Sequence, residues 1–238
     1  MNKIILSLLI VFSIFSCKKE EQSTKNFVLT GNIEGLKEGK LYIQRIKDTV
    51  LVPIDSIIIS GNSSFKSEFD LDSPEMLYLF LDRGVSNSLD NNIPFFAEQG
   101  KMNIQTSLDF FTSDAKITGS KNQELYDEYK KVMSRYVDQE MELLTERFEA
   151  YSKKDVKAAT EIQAKQDAIK KRKYLYTTNF AVNHPDAEVS PYVALAEIYD
   201  INFKYLDTIQ KTMSPRVAKT LYGKIFMQYY SERQKMEQ

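Results

Sequence analysis

The sequence predicts a segregated α+β protein: an antiparallel β-sandwich-like half, then an all-α half built around a long helical hairpin. Three observations predict this. Seven of the eight glycines fall at or before Gly119, so turns crowd into the first half and are scarce in the second. Residues 26–118 alternate apolar and polar side chains in short runs, with turn signals roughly every ten residues. From Ser120 onward the apolar spacing lengthens to that of a helix.

The strands follow in order. Phe27, Leu29 and Ile33 sit at alternate positions of a first, half-buried strand. Gly35–Gly39 is a turn, and Lys40–Ile46 is expected as the partner strand. Val50–Ile59 is rich in β-branched residues, and its Pro53 marks an edge or a bulge. Gly61-Asn62 turns into Ser64–Phe69. Met76–Leu81 is continuously apolar, as expected of a strand covered on both faces. After a polar loop at 82–92, Ile93–Glu98 and Lys101–Thr106 flank Gln99-Gly100, which reads as a hairpin turn. Asp114–Thr118 is the last strand.

The helices open on Ser120, with Gln123 three residues on. This is a capping box in which the serine side chain accepts from the backbone and the glutamine reaches back. Leu125, Tyr129, Val132, Tyr136, Leu143, Leu144 and Phe148 then form one apolar stripe. Tyr151–Lys154 interrupts it. Asp155 caps a second helix, whose stripe is Val156, Ala159, Ile162, Ile169, Tyr176 and Phe180. A short polar link between two long helices folds them into an antiparallel hairpin. Asn183-His184-Pro185 ends the second helix. Ser190-Pro191 and Ser214-Pro215 each pair an N-cap with a proline at the first helical position.

The first sixteen residues are of a different kind. Met1-Asn2-Lys3 leads into the apolar run Ile4–Phe15, which is shorter than the roughly 20 residues that span a bilayer. The break at Ser16-Cys17 is followed by Lys18-Lys19-Glu20-Glu21. Ile14-Phe15-Ser16-Cys17 resembles the lipobox of bacterial lipoproteins. That resemblance implies cleavage between Ser16 and Cys17, with a diacylglyceryl group and a palmitate-type acyl chain on Cys17. The expected organisation is a signal peptide at 1–16, a lipidated tether at 17–25, a β domain at 26–119 and a helical domain at 120–238. Lys19-Glu20-Glu21 resembles a tag that sends some Bacteroidetes-type lipoproteins to the cell surface, and it also reads as a plain solvated tether. Thr49, Ser56 and Thr208 each follow an aspartate and precede an apolar residue, which resembles an O-glycosylation acceptor in the same bacteria.

Composition narrows the chemistry. The formal charge is −1, so no basic field favours nucleic acid. Cys17 is the sole cysteine, and acylating it would leave no thiol for a disulfide framework, a thiolate metal site or redox exchange. The one histidine, His184, lacks the partners that a catalytic dyad or zinc site requires, and fits a helix-ending turn. Gly35–Lys40 has three residues between its glycines and no Ser or Thr after the lysine, so it reads as a turn and not a phosphate loop. Glu140, Glu142, Glu146 and Glu149 near Arg147 and Lys153 fit a solvated helix face better than an acid/base pair. Lys170–Lys173 beside Tyr174 and Tyr176 is the densest basic cluster, and a solvated face explains it better than an anionic partner. Tyr192, Tyr199, Tyr205, Tyr222, Tyr229 and Tyr230 read as core and rim packing; a sugar-stacking platform is the alternative. No cofactor or metal is expected.

Several stretches carry a wider resemblance. They are Phe27-x-Leu29-x-Gly31-x-Ile33-x-Gly35-Leu36-x-x-Gly39-Lys40-x-Tyr42-Ile43, Asp55–Ile59 with Gly61 and Phe65, Pro94-Phe95-Phe96-x-Glu98-x-Gly100, and Ile117–Ser120 with Gln123–Tyr126. Together they resemble the β-rich domain of unknown function that precedes the thioredoxin module in Bacteroidetes-type lipoproteins related to TlpA and ResA. In those relatives a Cys-x-x-Cys module follows; here the chain reaches Gln238 with no second cysteine, so their redox activity is not expected of any residue in this polypeptide. The expected function is that of a lipid-anchored, non-catalytic binding or accessory module. It would reside at the outer membrane, on the periplasmic face or the cell surface, with a protein partner. Two alternatives stand beside it: an accessory to a separate thioredoxin-like oxidoreductase, and an enzyme acting on envelope glycans.

Overall fold

A computed structural model describes residues 24–84 and 89–237. The signal peptide and the Ser16, Cys17, Lys19, Glu20 and Glu21 expectations lie outside these residues. Among the described residues the chain forms eight strands: β1 (Phe27–Glu34), β2 (Glu38–Lys47), β3 (Val50–Ser60), β4 (Ser64–Phe69), β5 (Glu75–Asp82), β6 (Asn92–Ala97), β7 (Gly100–Ser107) and β8 (Lys116–Thr118). Five α-helices follow: α1 (Lys121–Ser152), α2 (Val156–Asn183), α3 (Val189–Glu197), α4 (Phe203–Thr212) and α5 (Leu221–Met236). The α+β layout is the one the glycine distribution indicates.

The strands form two four-stranded sheets, one ordered β4-β1-β7-β8 and the other β3-β2-β5-β6. Phe27, Leu29 and Ile33 of the first sheet face Leu41, Ile43, Leu77, Leu79, Leu81, Ile93 and Phe95 of the second across one core. Three pairing expectations are corrected. β2 does not pair with β1, because the Gly35–Lys37 turn carries the chain into the other sheet. β6 and β7 are not a hairpin either; Glu98-Gln99 crosses between sheets, and β7 runs parallel to β1. The first sheet is therefore mixed, not purely antiparallel. In a sandwich both sheets point alternate residues at the same core, so alternation cannot say which sheet a strand joins. Pro53 does sit on an edge strand, next to a register shift opposite Ile43 and Gln44.

β5 carries apolar residues on both faces for a reason the helices supply. Leu77, Leu79 and Leu81 point into the sandwich. Met76, and Phe96 on the neighbouring β6, point out to meet Leu125, Tyr129 and Met133 of α1, Phe180 of α2 and Val193 of α3. Gly119 makes this junction tight, since a Cβ there would lie 2.2 Å from the Lys101 carbonyl oxygen. Ser120 caps α1 as expected, its Oγ accepting from the Gln123 N–H at 3.0 Å. The second half of the box is replaced: Gln123 Oε1 accepts from the Phe96 N–H at 2.6 Å, so α1 covers the edge of β6.

α1 and α2 form the expected hairpin, and Asp155 caps α2 through the Ala158 N–H at 3.0 Å. The apolar stripes need correction. Leu144, Phe148 and Val156 are exposed, while Met133 is buried and Val132 only half-buried. α2 covers a single side of α1, so Leu144 and Phe148 lie off the seam between the two helices, as does Val156 at the start of α2. The proline-marked starts also shift. α3 begins at Val189, with Ser190 and Pro191 inside its first turn, and the Val189 N–H is capped from a distance by Asn122 Oδ1 at 2.9 Å. Ser214 opens a 3₁₀ turn at Val217–Lys219, and α5 starts only after Thr220. Gly223 lets that turn lie against α5, for a Cβ there would sit 1.9 Å from the Val217 carbonyl oxygen.

Candidate functional site

Where the end of the sandwich meets the starts of α1, α3 and α5, an open cleft of about 740 Å³ forms. Its floor is a network of fixed polar groups. Glu98, at the end of β6, accepts through Oε2 from Ser120 Oγ at 3.0 Å, from the Asn122 N–H at 3.1 Å and from Asn122 Nδ2 at 3.3 Å. Asn122 Nδ2 also donates to Glu188 Oε2 at 2.9 Å. Arg216 closes the far side, with Nη1 on Glu188 Oε1 and Nη2 on the Asp186 carbonyl oxygen. A carboxylate as buried as Glu188 is tolerable because a cation and an amide donor both meet it.

The rims carry charges of both signs. Lys219 and Lys224, on the 3₁₀ turn and the first turn of α5, are exposed and form no ion pair among the described residues. Lys121 is paired with Glu124 at 2.9 Å. Asp72 and Asp186 supply the opposite sign, and Ser73 Oγ accepts from the Leu221 N–H at 3.0 Å, tying the loop before β5 to α5.

Behind the cleft lies an aromatic wall. Tyr222 accepts from the Met76 N–H at 3.0 Å, and its ring lies 4.9 Å from that of Tyr192. Tyr192 meets Phe96 and Tyr126 edge-on, at 5.6 and 5.8 Å. Burial pushes the hydroxyls of Tyr222 and Tyr192 above the usual tyrosine range, and those of Tyr78 and Tyr126 rise for the same reason. Near the same end of the sandwich, burial raises the Glu75 carboxyl although Arg45 lies 2.9 Å away. These tyrosines are packing groups with satisfied or shared hydroxyls, not an open platform.

The other candidates scatter. Thr49 is exposed in the β2–β3 turn, Ser56 is exposed on β3, and Thr208 is exposed on α4 with its hydroxyl donating to the Lys204 carbonyl oxygen at 2.8 Å. His184 ends α2, its ring 4.6 Å from that of Phe180. The basic cluster radiates around α2, with Lys170 on Asp200 at 3.3 Å and Lys173 on Glu140 at 3.0 Å. Arg147 donates to Gln163 and Gln166, both at 2.8 Å, and Lys153 meets Glu149 at 3.5 Å. Among the described residues no group of three His, Cys, Asp or Glu side chains is placed to hold a metal ion, and no helix is long and apolar enough to cross a membrane.

Sequence reasoning missed the cleft. Glu98, Ser120 and Gln123 belong to the stretches that carry the family resemblance, which was a usable signal. Glu188 and Arg216 sit in loops with nothing local to single them out.

Residues 27–126 match the family described as a domain of unknown function (DUF4369). The match spans the sandwich and the first turns of α1, so it includes Glu98, Ser120 and Asn122 but not Glu188 or Arg216. No curated protein and no solved structure matches the chain.

Proposed function

We propose that this chain, with its DUF4369 stretch, is a lipid-anchored outer-membrane protein that works as a non-catalytic binding module, with the junction cleft as its binding site. The observation that carries this reading is where the tether meets the fold. The Asn26 side chain accepts from the Leu71 N–H at 2.7 Å and donates to the Leu71 carbonyl oxygen at 3.1 Å, next to Asp72 and Ser73 of the cleft rim. Lys25 pairs with Asp70 at 2.7 Å. From Cys17 to Thr24 the chain reaches about 25 Å at most, so an acyl group on Cys17 would hold the cleft close to the bilayer. Several acyl chains anchor stably where one would not. Glu98 and Glu188 support binding over catalysis, because Glu98 Oε2 is committed to capping α1 and both Glu188 oxygens to Asn122 and Arg216. The mixed charge of the rims suits a polar protein segment carrying both signs. Lys19-Glu20-Glu21 as a surface-export tag, and Thr49, Ser56 and Thr208 as glycan acceptors, belong to the same reading.

Cys17→Ala tests the anchor: the variant should take up no lipid label and leave the detergent phase, and unchanged partitioning would sink the assignment. For the cleft, a photo-crosslinking residue at Lys219 should capture an envelope protein in intact cells that the same probe at Thr208 does not. Equal capture at both positions rejects the cleft.

A second reading makes that partner a separate thioredoxin-fold protein, supported by the resemblance of the Phe27–Phe65, Pro94–Gly100 and Ile117–Tyr126 stretches to thioredoxin-linked lipoproteins. Deleting the chain should then alter the thiol state of envelope proteins, and an unaltered state counts against it.

A further inference from the structure

α1 is 32 residues long, about 48 Å, and only its first turns rest on the sheet. Beyond Met133 one side of it packs on α2 through Tyr136, Leu143 and Ala150. One residue further round, Val137, Met141, Leu144, Phe148 and Tyr151 form a second apolar row, between 45 and 74% exposed. Their spacing is four, three, four, three. That is the heptad pattern of a coiled-coil seam, and a helix face meant for water would not keep it.

We infer that this bare seam pairs with the same seam of a second copy, the two α1 helices lying antiparallel. An antiparallel pair about a twofold axis is self-complementary, so each contact occurs twice. With the axis between Glu142 and Leu143, Met141 lies opposite Leu144 of the second copy, and Phe148 opposite Val137 of the second copy. The Phe148 layer then sets a large side chain against a small one, and the Met141 layer matches two of similar volume, as a filled core allows.

The flanking charges select the same arrangement. Glu140 and Arg147 border the row, one heptad apart. Within one chain Glu140 meets Lys173 while Arg147 meets the neutral Gln163 and Gln166, and in this register Glu140 faces Arg147 of the second copy at both ends. On the other border Asp138 faces Thr145 of the second copy, so no like charges oppose. A parallel pair would set Glu140 against Thr145 and Arg147 against Ser152, with no charge matched. The row is only about 21 Å long, and a pair of single helices covers less than the ~800 Å² per partner of a typical stable complex. The dimer is accordingly weak and dependent on concentration.

Sedimentation equilibrium of the full chain in mild detergent reads this directly. The mass per particle should rise from one chain towards two with concentration. Phe148→Glu should weaken the association at least about tenfold while leaving the melting temperature unchanged, since that side chain is mostly exposed. Register is read by disulfide trapping: a mixture of Met141→Cys and Leu144→Cys chains should cross-link faster than either alone. The unsubstituted chain, which carries only Cys17, sets the background. A constant one-chain mass, or association indifferent to Phe148→Glu, overturns the pairing, as would one chain per particle with detergent or vesicles covering the row. Equal cross-linking rates overturn the antiparallel register.

Discussion

Tyr129 and Phe148 lie on one helix, yet the first is 1% exposed and the second 74%. The base of the α1–α2 hairpin is enclosed by the sheet, α3 and α5, and its aromatic groups have partners: Tyr129 shares a hydrogen bond of 2.7 Å with Thr177 and stacks on Tyr176. At the tip two helices have only each other, and the core there is thin, with Ala150 and Ala159 among its members. Burial therefore tracks how many elements surround a residue more closely than how apolar the residue is. Two helices can bury one stripe each; everything apolar beyond that stripe is left to a partner or to water.

The contrast can be broken most severely at the base. Phe96→Ala, which empties the meeting point of sheet and helices, should cost about 3–5 kcal/mol in chemical denaturation. Arg216→Ala comes next, at about 2 kcal/mol, because it leaves the buried Glu188 with a single neutral donor. The same change made in a Glu188→Gln background should cost clearly less. Glu75 gives a pH signature. Its carboxyl titrates above the ordinary 4.5, so the folded state holds that proton more tightly than the unfolded state does. Wild-type stability relative to Glu75→Gln should be greatest below pH 4.5 and fall as pH rises through the folded value; a gap that is flat or widens the other way contradicts the burial argument. The smallest effect belongs to the tip: Phe148→Ala should shift the unfolding free energy of the isolated chain by no more than about 0.5 kcal/mol.

Much of the fold was legible because period and punctuation are local. Phe27–Ile33, Met76–Leu81 and the two long helices carry their own evidence, as do the Ser120 and Asp155 caps. Pairing was not legible. Gly35–Lys37 and Glu98–Gln99 are short enough for hairpins, yet both carry the chain across the sandwich, where alternation looks the same on either side. Long-range capping was equally hidden, since Asn122 caps α3 from another helix and leaves Ser190-Pro191 two residues too late. The cleft was half legible. Glu98 and Ser120 lie in recognisable stretches, but the need for Arg216 arises only once Glu188 has been buried by folding.

The parallel pairing of β1 with β7 has a consequence for the order of assembly. β2 and β3 meet through a tight turn, and β5 and β6 through a modest loop, so the second sheet can start from contacts near in sequence. β1 has no such neighbour: one flank waits for β4 and the other for β7. The first strand made is thus among the last to be satisfied: one backbone edge is bare until Ser64–Phe69 arrives and the other until Gly100–Ser107. A nascent or truncated chain that stops before Gly100 would carry an apolar β1 with one bare edge, and that edge is where aggregation of this protein would begin.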